Sequence, residues 1–127
     1  MLRMKGDLLE VLLASVEGNV LEKEIEWSSN ASGCVVAASG GYPIKYEKGK
    51  VIEGLNEAAS FPGIVVFHAG TTVKEGQYYT NGGRVLNVCA SEKTLAETMN
   101  QIYRALSRIY FEAMHWRRDI GALKEEE

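Results

Sequence analysis

Two stretches hold the residue types best suited to chemistry: Val66-Phe67-His68-Ala69-Gly70-Thr71-Thr72 and Asn81-Gly82-Gly83-Arg84-Val85-Leu86-Asn87-Val88. In each, a run of strand-forming residues meets a polar group beside small residues. Side-chain and backbone donors therefore come together where little bulk blocks approach. His68 ends an apolar run and Arg84 opens one, so antiparallel pairing of the two runs would bring both to the same end of a sheet. Donors gathered in that way suit an anionic or ribose-bearing ligand. The same residues also suit a plain hairpin whose glycines serve only its turn geometry.

Other chemistry is thinly supplied. His68 and His115 are the only histidines, and neither cysteine has polar neighbours in sequence that would lower its pKa for nucleophilic work. Two histidines and two distant cysteines show no zinc-ligand spacing. No glycine-rich loop ends in Lys-Ser or Lys-Thr, and Gly40-Gly41 or Gly82-Gly83 alone is a weak phosphate signal. Carboxylates fall on helix faces and in turns, where solvation is the ordinary state. Tyr42, Tyr46, Tyr78 and Tyr79 have faces on which a base could stack, but aromatics at strand positions more often pack.

These residues need a scaffold, and the pattern predicts an α+β domain with a mainly antiparallel sheet flanked by an N-terminal and a long C-terminal helix. Asp7 caps the first helix, Glu10 follows as in a capping box, and Gly18 ends it. Its Leu8, Leu9, Leu12, Leu13 and Val16 share a face that must be buried against something. A weak strand is expected at Ile25–Trp27. Cys34–Ala38 reads as a strand covered on both faces, stopped by Ser39-Gly40-Gly41-Tyr42-Pro43. Ile44–Tyr46 and Val51–Ile52 flank a hairpin or an extended arm, and Asn56–Ala59 suits one helical turn. Ile64–His68 and Arg84–Ala90 read as central strands, with a turn at Lys74-Glu75-Gly76 between them. Ser91 is expected to cap a helix carrying Leu95, Met99, Ile102, Tyr103 and Leu106. The tail runs through Phe111–Trp116 to an acidic end, Lys124–Glu127, expected to fray.

The 127 residues suffice for one domain with a real core. A formal charge of −3 without a basic stripe argues against nucleic-acid binding. Apolar runs of a few residues are far too short for a membrane span. Met1–Lys5 leads straight into an amphipathic segment, without the apolar core of a signal peptide, so a cytoplasmic location is expected. Asn30-Ala31-Ser32 is then read as a chance glycosylation pattern. Cys34 and Cys89 are read as buried free thiols.

The order of motifs adds a further reading. Ser39-Gly40-Gly41-Tyr42-Pro43, Tyr46-Glu47-Lys48-Gly49, Ile52-Glu53-Gly54-Leu55, His68-Ala69-Gly70-Thr71 and Gly82-Gly83-Arg84-Val85-Leu86 follow one another along the chain. Taken as an ordered set they resemble the C-terminal domain of the phosphoribosylamine–glycine ligase family. Arg117-Arg118-Asp119-Ile120-Gly121 is similar to that family's closing motif. Arg3-Met4-Lys5-Gly6-Asp7-Leu8-Leu9 is similar to the helix that finishes its ATP-grasp domain. One departure is Ile44, where the family usually has a glycine after Gly-Tyr-Pro, which stiffens the turn.

The resemblance implies a step of purine synthesis. ATP phosphorylates glycine, and the amine of 5-phosphoribosylamine attacks the acyl phosphate to give glycinamide ribonucleotide, ADP and phosphate. It implies that residues 1–19 are the terminal helix of the ATP-grasp region and residues 20–127 the small, barrel-like ligase C-terminal domain. ATP and Mg²⁺ would belong to the upstream ATP-grasp portion, the partner in cis or in trans, and neither is expected to bind this chain strongly. His68, Gly70, Thr71, Asn81, Gly82, Gly83 and Arg84 occupy the matching motifs and are expected to line the substrate cleft. No catalytic or metal-binding residue is assigned. The alternative function is a stand-alone binding or assembly module that keeps the fold without the reaction.

Overall fold

The computed structural model describes residues 1–122; the acidic end expected to fray, Lys124–Glu127, lies outside them. Its organising element is the strand β5 (Arg84–Glu92), which pairs antiparallel with β1 (Ala31–Ala38) on one side and with β2 (Val65–His68) on the other. A separate antiparallel pair is formed by β3 (Thr71–Lys74) and β4 (Gln77–Thr80). Glu75 and Gly76 close it with φ of 50° and 78°, the two positive values that match the twist of a tight hairpin. The α+β class with mainly antiparallel sheets and a helix near each end holds.

The helix α3 (Leu95–Leu106) begins in a capping box. Thr94 Oγ1 accepts from the Glu97 N–H at 3.2 Å, and Glu97 Oε2 accepts from the Thr94 N–H at 3.1 Å. Ser91 is not the cap. It is still part of β5, and its hydroxyl donates to Ala31 O across the ladder at 3.0 Å. Thr98, Met99, Ile102, Ala105 and Leu106 turn one stripe of α3 onto the sheet. Met99, Ile102, Ala105 and Leu106 join Val35, Ala37, Leu86, Val88 and Ala90 in the core.

Only that face of the sheet is covered by α3, which corrects two strand expectations. β1 is not buried on both sides: Val35 and Ala37 point inward, while Cys34 is exposed. β2 is an edge strand, not a central one, with Val65 and Phe67 exposed. Hydrophobic runs report strand tendency, but coverage of the second face depends on what else packs there. Ile25–Trp27 amounts to one bridge between Trp27 and Met4. The stretch around 44–52 takes the form of an extended arm, with Val51 bridged to Tyr79 and Glu53 to Tyr110. The expected turn at Asn56–Ala59 is α2 (Leu55–Ala59).

Past α3 the chain returns to the core. Tyr103 accepts the Ile120 N–H on its hydroxyl oxygen at 3.1 Å, and its proton faces the carbonyls of Arg117 and Ile120, both at 3.2 Å. Gly121, at φ 75°, lies so close to α3 that a Cβ there would stand 2.6 Å from Met99 Cγ. Arg117 forks onto Asp119 at 2.9 and 2.5 Å. That hydrogen-bonded guanidinium holds the Asp119 carboxyl below its ordinary range. The Arg117–Gly121 motif thus latches the tail to α3.

Near the other end, α1 (Leu8–Glu17) is capped by Asp7 Oδ1, which accepts from the Leu9 N–H at 2.8 Å. Gly18 ends it in the left-handed region at φ 80°. Glu10 forms no capping box; its carboxylate lies 3.9 Å from Lys23 Nζ. Leu8, Leu9, Leu12, Leu13 and Val16 are all exposed, and only Ala14 of the helix is buried. A helix without a covered apolar face has little tertiary support. Amides of residues 8–17 should therefore exchange much faster than those of 85–90 in β5. Equal protection by hydrogen exchange would show α1 to be anchored as firmly as the central strand.

Candidate functional site

At the start of β5, Ala69, Gly70, Gly83, Arg84 and Asn87 join Tyr42 and Tyr46 around an open cavity of about 590 Å³. Backbone contacts hold its floor. The Ala69 N–H donates to Val85 O and the Gly70 N–H to Arg84 O, both at 3.0 Å, while the Asn81 N–H donates to Gly70 O at 2.7 Å. Buried Ser39 ties down the glycine loop, its Oγ donating to Gly82 O and its N–H to Gly83 O, each at 2.8 Å.

The glycines are there for close approach. Gly70 and Gly82 touch: a Cβ on Gly70 would stand 2.7 Å from Gly82 Cα. A Cβ on Gly83 would run into the Tyr42 ring and come within 3.0 Å of Tyr46 Cε1. Those two rings stand 6.0 Å apart, tilted by 57°. The turn that presents Tyr42 has a cis Tyr42–Pro43 bond and Gly41 at φ 86°. Ile44 is 94% exposed and lies outside the positive-φ residues, so a β-branched side chain fits this turn without backbone strain.

Of the seven expected cleft residues, Gly70, Gly83 and Arg84 line the cavity. Asn81 and Gly82 shape its rim through the backbone. His68 and Arg84 do come to the same end of the sheet, but His68 and Thr71 do not line the cavity. His68 is paired with Leu86, and so belongs to the opposite face from Phe67 and Asn87. Its Nδ1 lies 3.0 Å from Thr71 Oγ1, and its ring stacks on Tyr78 at 4.7 Å. Arg84 escapes the same alternation because the ladder slips: Ala37 pairs with Leu86 but Ala38 with Arg84. A bulge of this kind re-aims the side chain next to it.

Electrostatically the cavity is one-sided. Arg84 is exposed and forms no side-chain hydrogen bond or ion pair among the described residues, and no carboxylate lines the wall. The nearby cation Lys50 is already engaged, at 2.9 Å from Glu47 and 3.0 Å from Glu112. Hydrogen bonds to those carboxylates raise the Lys50 pKa, and the same contact lowers that of Glu47. Arg84 is thus left as a free fork between aromatic walls and bare backbone, suited to an anionic oxygen. Tyr42 and Tyr46, whose positions in the sequence favour packing, line the cavity, as do Ala69 and Asn87, which lie outside the expected cleft set. A signal existed for Asn87, a lone amide between Leu86 and Val88.

Comparisons with known proteins show the family of the chain. The family described as phosphoribosylglycinamide synthetase, C domain, matches residues 32–123. A phosphoribosylamine–glycine ligase from Mesorhizobium japonicum is 46% identical over 121 residues, which cover 95% of this chain and 28% of that protein. One from Synechocystis is 48% identical over 115 residues, covering 90% of this chain and 27% of the relative. The crystal structure of phosphoribosylamine–glycine ligase from Thermotoga maritima superimposes with a TM-score of 0.65 at 31% identity, over 87% of this chain and 27% of that one. The chain therefore spans little more than a quarter of the length of these relatives. The matched residues include all of β1 but its first residue, β2 to β5, α3 and the whole cavity wall, and on that ground the chain belongs to the phosphoribosylglycinamide synthetase C-domain family.

Proposed function

We propose that this chain is the C-terminal portion of a phosphoribosylamine–glycine ligase and walls the substrate cleft of that enzyme. The reading is carried by Arg84, a guanidinium unpaired among the described residues and beside Gly70, Gly83 and two tyrosines, inside the region that matches the family. Arg84 forks onto a phosphate oxygen of 5-phosphoribosylamine or onto the acyl phosphate of glycine. Gly70 and Gly83 leave the backbone open to the sugar, and Ser39 keeps the loop from sagging. His68 and Thr71 act as a bonded pair behind this wall, and Asn81 and Gly82 set its curvature.

ATP and Mg²⁺ belong to the ATP-grasp portion of the enzyme in this reading. No three His, Cys, Asp or Glu side chains gather into a metal site among the described residues, so no step is assigned to a metal here. Residues 1–19 form the terminal helix of the ATP-grasp region and residues 20–127 the C-terminal domain. The exposed leucines of α1, which lie outside the residues matched by the family, support that division.

A chimaera tests the proposal. Residues 20–127 replace the corresponding domain of the Mesorhizobium enzyme, and phosphate release is measured with ATP, glycine and phosphoribosylamine. The chimaera should turn over, and the 127-residue chain by itself should show no phosphate release that depends on both substrates. A folded but inactive chimaera, or an active isolated chain, would overturn the assignment.

A further inference from the structure

Cys34 and Cys89 are far apart in sequence yet directly opposed in the antiparallel ladder of β1 and β5. Opposed residues send both side chains to one face, with Cα atoms about 4.5–5.5 Å apart. A disulfide spans Cα separations of roughly 4.4–6.8 Å. The shared face is the one that α3 leaves open, with Val36, Val65 and Phe67 as neighbours. Cys34 is exposed there, whereas Cys89 retains only 4% of its surface. They are the only cysteines in the chain, so a disulfide within one molecule can join no other pair.

The two thiols differ in a way that orders their reactions. Burial, with the neighbouring Cys34 as the next cause, pushes the Cys89 thiol up to about 12. Its S–H points at Asn87 O, 3.8 Å away. Cys34 is the accessible nucleophile, and Cys89 stands beside it as the slower, resolving thiol.

We propose that Cys34 and Cys89 form a thiol–disulfide modification site that takes low-molecular-weight organic disulfides. Cys34 gives up its proton, and its sulfur attacks one sulfur of the disulfide RSSR. The S–S bond breaks, a first thiolate leaves and takes a proton, and a mixed disulfide remains on Cys34. Cys89 then loses its proton, attacks Cys34 Sγ and expels the second thiolate. Two protein S–H bonds and one RSSR bond are exchanged for one protein S–S bond and two RSH molecules. The protein is oxidised and the small disulfide is reduced. This site is separate from the Arg84 cavity and does not rest on the proposed ligase role.

The test treats the chain with oxidised glutathione without denaturant and follows intact mass, thiol titration and peptide mapping. The expected product has lost both thiols and two hydrogens, with the peptides carrying Cys34 and Cys89 cross-linked in a monomer. Cys89→Ser should instead hold a glutathione adduct on Cys34 that dithiothreitol removes. The proposal fails if the wild-type chain keeps the adduct as Cys89→Ser does, if it forms disulfide-linked dimers, or if both thiols stay free. The wild-type result alone decides the matter should the variant not fold.

Discussion

Phe111→Ala is expected to remove about 3–5 kcal/mol of folding free energy, the usual cost of emptying a large buried aromatic site. Phe111 is 0% exposed and is the largest of the fully buried side chains. It is held in place from both sides by backbone pairing. The Glu53 N–H donates to Tyr110 O at 2.9 Å and the Tyr110 N–H to Glu53 O at 3.1 Å. Further on, the Ala38 N–H donates to His115 O at 2.9 Å and the His115 N–H to Ala38 O at 3.0 Å. The segment cannot slide to fill a hole, so the cavity term adds to the lost burial. Domains of this size are stable by about 5–15 kcal/mol in total, and the variant should sit near its unfolding threshold. Tyr110→Ala provides the control, since that neighbouring ring is 60% exposed and its removal should cost about 0.5 kcal/mol. Urea midpoints decide between them. Equal shifts for the two variants would mean that the tail does not contribute to the core.

For Arg84→Ala the expected damage falls on function and not on folding. The side chain is exposed and unpaired among the described residues, so its loss should change stability by no more than about 0.5 kcal/mol. In a full-length enzyme carrying this domain it should remove a charge-assisted bond of roughly 1.5–3 kcal/mol, or about 10- to 150-fold in kcat/KM for phosphoribosylamine. Arg84→Lys keeps the charge without the planar fork and should recover only part of that loss. The measurements are paired, a denaturant midpoint and steady-state kinetics on the same variants. A lowered midpoint with unchanged kinetics would make Arg84 a structural strut and remove the main support for the proposed cleft wall.

Much of the scaffold was legible in the residues. Arg84–Ala90 reads as a central strand and is one; α3 shows its stripe, and the turn at Glu75-Gly76 marks the β3–β4 hairpin. Helix ends followed local rules, although Thr94 with Glu97, not Ser91, supplied the cap of α3. The ordered motifs from Ser39 to Gly121 pointed to the family that the comparisons then showed. These features share a cause. Periodicity, capping and turn chemistry act within a few residues, so neighbouring side chains in the sequence carry them.

What the tertiary structure decided involves partners distant in sequence. Alternation in β2 puts His68 and Phe67 on opposite faces, but only the pairing with β5 decides which face meets the cavity. The slip at Ala38 and Arg84 lets Arg84 line the same cavity as Asn87, and no local pattern announces a bulge between strands so far apart in the chain. Two cysteines that look alike in sequence become one exposed and one buried thiol because Cys89 sits on the central strand, between β1 and β2, while Cys34 sits on an edge strand. Phe111, in a stretch without helical or strand period, is the largest fully buried side chain because the tail is pinned at Glu53 and Ala38. Local sequence sets which side chains share a face; burial, register and access are settled only when distant elements close on that face.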